Sequence, residues 1–221
     1  MSRFYDDAII PAELRRNYDV YDRIRTLQLD LGTFDKYVGS LKGRNIAGAI
    51  FHESGLVYLS GIGLGEHQMT DDPERVAHGQ QAGQACADHH IRTLHWAVTC
   101  GGEGGDLNDV LYTVKALGMV VSTDVDFRSG PAVVNGYSYR WQSVFGGGTG
   151  EFAQDGLDAG GYAGVHARSA IGGFTGRFAL EPEIIVALPP ELTRAIIANR
   201  GWVFPLIPSM HDKIMAASKQ G

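Results

Sequence analysis

The pattern of apolar and polar positions divides the chain into short, well-separated elements. Leu14, Tyr18, Tyr21, Ile24 and Leu27 recur at three- and four-residue steps with charged residues between them, which predicts a helix over 12–30. Gly32 is its expected stop, followed by a loop through Gly43. Ile46–Phe51 and Leu56–Ser60 are apolar runs rich in Ile, Val and Tyr, separated by His52-Glu-Ser-Gly55, and they predict a β-hairpin. Asp72-Pro73-Glu74 is a helix opening: an N-cap, a proline at the first turn and an acidic residue at the positive end of the dipole. The helix it starts runs to about Val98, with Val76, Ala82, Ala85, Ile91, Leu94 and Val98 expected towards a core, and Gly101-Gly-Glu-Gly-Gly105 ends it.

Leu111–Ser122 follows as a strand and Pro131–Phe145 as a second long helix, with Val134, Tyr137, Trp141 and Val144 on one face. Residues 146–164 are glycine-rich and unpatterned, and predict a long loop. Ser169–Ile171 and Glu183–Leu188 are short strands, Pro190–Asn199 is helical, and Trp202-Val-Phe204 is apolar. The order β-β-α-β-α-β predicts a mixed sheet with its helices on one face. Three regions follow: a helical extension over 1–43, a principal domain over 44–189 containing the 146–164 insertion, and a helical tail over 190–221.

Composition narrows the function classes. Glycine supplies 30 of 221 residues, roughly twice the usual share, and apart from Gly201 and Gly221 all of it lies between Gly32 and Gly176. Without a three-residue period or much proline this is not a collagen-like rod. A net charge of −6 gives no general attraction for phosphate backbones, so nucleic acid is not an expected partner. No apolar run approaches a membrane span, the first residues lack the layout of a secretory signal, and Cys86 and Cys100 make no disulfide framework; the expected location is cytoplasmic.

Several chemical motifs fall short. Gly61-Ile-Gly-Leu-Gly65 lacks the spacing of a dinucleotide fingerprint, and Gly146-Gly-Gly-Thr-Gly150 lacks the Lys-Ser/Thr of a phosphate loop. There is no Gly-x-Ser-x-Gly elbow. Cys86, His89, His90 and His95 cluster on one helix, with Cys86 and His90 on a shared face, but no acidic partner completes a zinc pattern. The expectation is a helix with partly exposed imidazoles, with no metal and no cofactor.

Four segments, in order, resemble the Rid (YjgF) family of enamine/imine deaminases, closest to a branch with an N-terminal helical extension. They are Leu56-Val-Tyr-Leu-Ser-Gly61; Asp106-Leu-Asn-Asp-Val-Leu-Tyr-Thr-Val-Lys115; Val133-Val-Asn-Gly-Tyr-Ser-Tyr-Arg-Trp-Gln-Ser-Val-Phe145; and His166-Ala-Arg-Ser-Ala-Ile-Gly172 with Glu183-Ile-Ile-Val-Ala-Leu188, in which the step from Arg168 to Glu183 also matches. The resemblance covers about residues 44–189 and implies a chorismate-mutase-like α+β fold, a homotrimer, and active sites in clefts between subunits. Carried over, it implies that Arg168 holds a substrate carboxylate, a role that suits a planar, permanently charged guanidinium. Glu183 would position or activate water, and Gly61, Ile62, Asn135, Ala47 and Ser169 would shape or line the pocket. No metal or cofactor is implied, because an iminium carbon is already electrophilic.

Each residue also has a plainer reading: a surface or subunit-interface ion pair for Arg168, a solvated strand-edge carboxylate for Glu183. The chain departs from the family pattern at Ile62, where a glutamine is usual, at Ala47, where a tyrosine is common, and at Gly176-Arg177 in place of Leu-Pro. The first two make the pocket roomier and less polar. The expected activity is therefore hydrolysis of a small carboxylate-bearing imine or enamine. The alternatives are a non-catalytic trimer binding a small acid or a partner protein, and a specialised biosynthetic or catabolic enzyme with the 146–164 loop as a lid.

Overall fold

A computed structural model describes residues 16–43, 47–65, 67–99, 105–146, 165–171 (backbone) and 179–205. Among these residues six strands form one mixed sheet: β1 (Ala49–Phe51), β2 (Leu56–Leu59), β3 (Tyr112–Val121), β4 (Val165–Ile171), β5 (Leu180–Ala187) and β6 (Val203–Phe204), in the order β4-β3-β5-β2-β1-β6. Only β3 and β4 run parallel; the other pairs are antiparallel. The helices are α1 (Val20–Thr26), α2 (Phe34–Gly43), α3 (Pro73–Thr99), α4 (Gly130–Phe145) and α5 (Pro190–Arg200).

All five helices contribute to one buried cluster with Ala49, Phe51, Val57, Leu59, Ala116, Ile184 and Val186, so they share one face of the sheet. This is the α+β architecture expected from the sequence, a mixed sheet with helices on one face. The alternate residues Ile50, Tyr58, Leu117, Met119, Glu181, Glu183 and Ile185 carry the other face, where none is buried. A bulge between Thr113 and Lys115 resets the alternation in β3, placing Thr113 under α4, where it accepts the Trp141 indole N–H at 2.9 Å. The two long helices approach closely because Gly136 of α4 sits against the Gln80 carbonyl of α3; a Cβ there would lie 2.1 Å from that oxygen.

Local chemistry explains where the expectations hold and where they fail. Asp72 caps α3 as expected, accepting the N–H groups of Glu74 and Arg75 at 3.0 and 3.1 Å. The hairpin closes through Gly55, whose φ of +96° favours glycine. The first helix is shorter than 12–30: Asp19 caps it by accepting from Tyr21 and Asp22, and a Schellman-type end terminates it. There Leu29 N–H bonds Ile24 O and Gln28 N–H bonds Arg25 O, with Gln28 at φ +51°, so Leu29 turns into the core. Residues 12–15 lie outside the described residues.

The segment expected as a loop through Gly43 is instead α2, because Tyr37, Val38 and Leu41 form a buried stripe and Phe34 packs edge-on against Trp96. Ala85 is exposed rather than buried, since Cys86 and Ala87 take the core positions of that turn. Both late strands start earlier than expected, β4 at Val165 and β5 at Leu180. The tail is not wholly helical: after α5, Val203 and Phe204 pair with β1. The glycine run Gly101–Gly104, Cys100, the insertion from 147 to 164, Gly176-Arg177 and residues 206–221 lie outside the described residues. Among the described residues no helix is long and apolar enough to cross a membrane.

Candidate functional site

Three of the residues singled out from the sequence, Ala47, Gly61 and Ile62, lie around one end of β2, whereas Arg168 and Ser169 are on β4, Glu183 is on β5 and Asn135 is on α4. Ser60 N–H bonds the Gly48 carbonyl at 3.0 Å and Ser60 Oγ bonds the Ala47 carbonyl, so Ala47 and Gly61 flank the same end of the hairpin. Ala47 is buried, and Gly61 and Ile62 are half-buried. The chain then runs beside the start of β5, where Leu64 donates to Leu180 O at 3.2 Å and accepts from Ala179 N–H at 2.9 Å. This brings Glu181 over Gly61: a Cβ at residue 61 would lie 2.7 Å from Glu181 Oε1. The missing side chain is what leaves room for the carboxylate.

Glu181 and Glu183 share the uncovered sheet face and stand about 7 Å apart along β5. Glu183 is exposed and Glu181 half-buried, and among the described residues neither forms an ion pair. Lys115, also exposed, pairs with Ile185 and so lies diagonally from Glu183. In β4, Arg168 pairs with Gly118, which pairs in turn with Pro182; Ala167 shares a row with Leu117 and Glu183, and Ser169 a row with Met119 and Glu181. Arg168 thus occupies the backbone row between those of the two glutamates. That is the row of Gly118, which faces Val134 of α4, so the register does not bring Arg168 onto the Glu183 face within one chain. Two strand spacings across β3 separate β4 from β5, about 10 Å.

Beneath Gly61 lies a polar group buried under the sheet. His90, only 1% exposed, places Nε2 2.8 Å from the Ser60 carbonyl and Nδ1 2.8 Å from the Tyr137 hydroxyl. Burial pushes the imidazole down to about 3, with the Ser60 carbonyl opposing and His89 adding slightly, so His90 is neutral. Burial raises the Tyr137 hydroxyl well above its ordinary value. Cys86, one turn before His90, donates its thiol to the Ile62 carbonyl at 3.4 Å. Burial, reinforced by the Glu181 charge, pushes that thiol up to about 12, which makes it an inert packing group rather than a nucleophile.

The partly exposed imidazoles expected on α3 are therefore only partly found: His89 and His95 are half-buried, whereas His90 is enclosed between α3, α4 and the end of β2. Among the described residues no group of His, Cys, Asp and Glu is arranged to hold a metal ion. Asn135 is not brought to Glu183 within one chain. It sits on α4, on the helix-covered face, while Glu183 is on the other face. Two features escaped the reading of the sequence. Glu181 was signalled by its two-residue offset from Glu183, which in a strand means a shared face. His90 was signalled only as a member of the Cys86 and imidazole cluster on its helix, and Tyr137 only as an apolar-face position.

No protein-family model and no curated protein matches this chain. Solved structures do. A protein of unknown function from Agrobacterium tumefaciens aligns over 76% of this chain and 93% of its own, with 19% identity and a TM-score of 0.54. A candidate endoribonuclease from Shewanella oneidensis MR-1 aligns over 77% of this chain and 100% of its own, with 13% identity and a TM-score of 0.55. At such identities the likeness is one of fold: this chain spans nearly all of either protein, and it has their α+β architecture.

Proposed function

We propose that the chain is a member of the Rid (YjgF) family and a hydrolase of small imines or enamines that carry a carboxylate. The observation that carries the reading is the order in which the four family-like segments fall on one sheet and its helix, with Arg168 on β4 and Glu183 on β5 to either side of β3. The four family-like segments supply β2 and Gly61, β3, α4, and β4 with β5 of a YjgF-like fold. Arg168 would hold the carboxylate by a bidentate pair. Glu183 would orient a water towards the iminium carbon and take its proton as the C–O bond forms. The resulting carbinolamine collapses as its C–N bond breaks, and ammonia leaves with a proton; from 2-aminoacrylate, through its imine tautomer, the products are pyruvate and ammonia.

The cleft would form between copies of the chain. Ile50, Tyr58, Leu117, Met119 and Ile185 make an apolar surface on the sheet face that no described helix covers, which suits association into the expected homotrimer. Half-buried Ile62 and buried Ala47 make the wall beside Gly61 apolar, favouring a substrate larger than a three-carbon enamine.

The same two residues favour a second reading, a trimer that binds a small acid without turning it over. The discriminating experiment measures ammonia released from 2-aminoacrylate, generated in place by a dehydratase, with wild type and Arg168→Ala. Acceleration by wild type and background release with the variant are expected. Equal rates, or no acceleration by either, overturn the deaminase reading. Carboxylate binding that persists without any turnover favours the second.

A further inference from the structure

Cys86 and His90 stand one turn apart on α3, and both reach the same short stretch of backbone. A carbonyl oxygen can only accept, so the 2.8 Å contact to Ser60 O requires the proton of the neutral imidazole on Nε2. The lone pair of Nδ1 then receives the Tyr137 hydroxyl at 2.8 Å, and the two neighbours together select one tautomer. Two residues on, Cys86 holds the Ile62 carbonyl. Carbonyls of an extended chain alternate in direction, so drawing those of Ser60 and Ile62 towards α3 turns the N–H and C=O of Gly61 away from it. Among the described residues Gly61 has no hydrogen-bond partner of its own, and it lies beside the Glu181 carboxylate.

We propose that His90 is a positioning residue of the candidate site: as the Nε2–H tautomer, oriented by Tyr137, it holds the Ser60 carbonyl and thereby presents the Gly61 peptide to the ligand. This rests on the reading above in taking Gly61 as part of the site. The imidazole itself is enclosed and touches no ligand. Its contribution passes through the backbone, so it depends on the donor at one atom rather than on the bulk or charge of the ring. Glutamine carries an amide N–H at nearly the reach of Nε2, whereas leucine fills the same space with no donor.

The test is an NMR titration of the labelled full chain with pyruvate, comparing wild type, His90→Leu, His90→Gln and Tyr137→Phe, with a thermal melt of each. In wild type, a single neutral His90 tautomer protonated at Nε2 is expected, and pyruvate shifts the Gly61 and Ile62 amides. His90→Leu weakens pyruvate binding about tenfold, the size of one lost hydrogen bond. His90→Gln restores it to within about threefold, although both variants melt below wild type. Unchanged affinity in His90→Leu, or a loss that follows the melting temperature and is not recovered by glutamine, overturns the proposal.

Should the leucine variant fail to fold, Tyr137→Phe decides. It keeps the ring but removes the hydroxyl that selects the tautomer; a second tautomer and a few-fold weaker pyruvate binding are expected, and no change in either refutes the role. If wild type binds no pyruvate, the substrate reading fails separately. His90 is then judged by the Ser60–Ile62 resonances, which must move in His90→Leu and return in His90→Gln.

Discussion

Acid should destabilise this protein through His90. The imidazole is neutral in the fold, with its pKa lowered from 6.5 to about 3, first by burial and only weakly opposed by the Ser60 carbonyl. In the unfolded chain it titrates near its ordinary value. Between the two values the unfolded state therefore binds the extra proton, and stability falls as pH falls. The contribution is intact above 6.5, declines through the range from 6.5 towards 3, and amounts to about 5 kcal/mol when fully lost. Between pH 7 and pH 5 the loss is about 2 kcal/mol.

The assay is reversible denaturant unfolding at both pH values, with wild type and His90→Gln, which has nothing to titrate at that position. Wild type should lose about 2 kcal/mol more than the variant, equivalent to roughly 4–8 °C in melting temperature for a chain of this size. His95, also lowered by burial and opposed by Asp106, acts in the same direction but is present in both proteins, so it cancels in the comparison. Parallel pH dependence within about 0.5 kcal/mol would refute the reasoning, because a buried neutral imidazole cannot avoid this linkage.

The remaining predictions concern packing, capping and the candidate site. Gly136→Ala drives a methyl group against the Gln80 backbone carbonyl and should cost about 3 kcal/mol or more in denaturant unfolding, unless α3 and α4 separate. Asp72→Ala removes the acceptor for the first N–H groups of α3 and should cost about 1 kcal/mol in the same measurement; no change would mean that water replaces the cap without penalty. Glu183→Gln, at an exposed strand position, should alter stability by less than about 0.5 kcal/mol. Its ammonia release from 2-aminoacrylate should nevertheless fall by about tenfold or more, within the usual worth of a general base. Unaltered release would remove Glu183 from the proposed reaction.

Elements with strong periodicity or explicit punctuation were legible in the chain. Asp72-Pro73 announced α3 because capping is local chemistry, and Val134, Tyr137, Trp141 and Val144 announced α4 because a single apolar stripe needs no partner to be recognised. What depended on distant residues was not legible. Gln28 ends α1 short of the predicted boundary at residue 30, because the long-range burial of Leu29 outweighs the local helical preference. The Phe34, Tyr37, Val38 and Leu41 stripe was present but lay in the shadow of Gly32, Gly39 and Gly43.

Of the candidate site, Gly61, Ile62 and Ala47 were found at one end of the hairpin, where the Ser60 side chain and backbone tie them together. Glu181 could have been found from the alternation of β5, had the strand been read as starting at Leu180 rather than Glu183. The role of His90 could not, since it needs Ser60 and Tyr137 from two other elements. The glycine excess belongs in part to this architecture: Gly61 makes room for Glu181, and Gly83 and Gly136 let α3 and α4 touch.

The central claim is that a carboxylate-bearing ligand is held by Arg168 in a cleft between copies of the chain. A crystal structure of the full chain with pyruvate tests it most directly. The account predicts a trimer with the pyruvate carboxylate in a bidentate contact with Arg168, beside Gly61 of one subunit and lined by residues of a second. Pyruvate bound away from Arg168, or enclosed within a single chain, would contradict it.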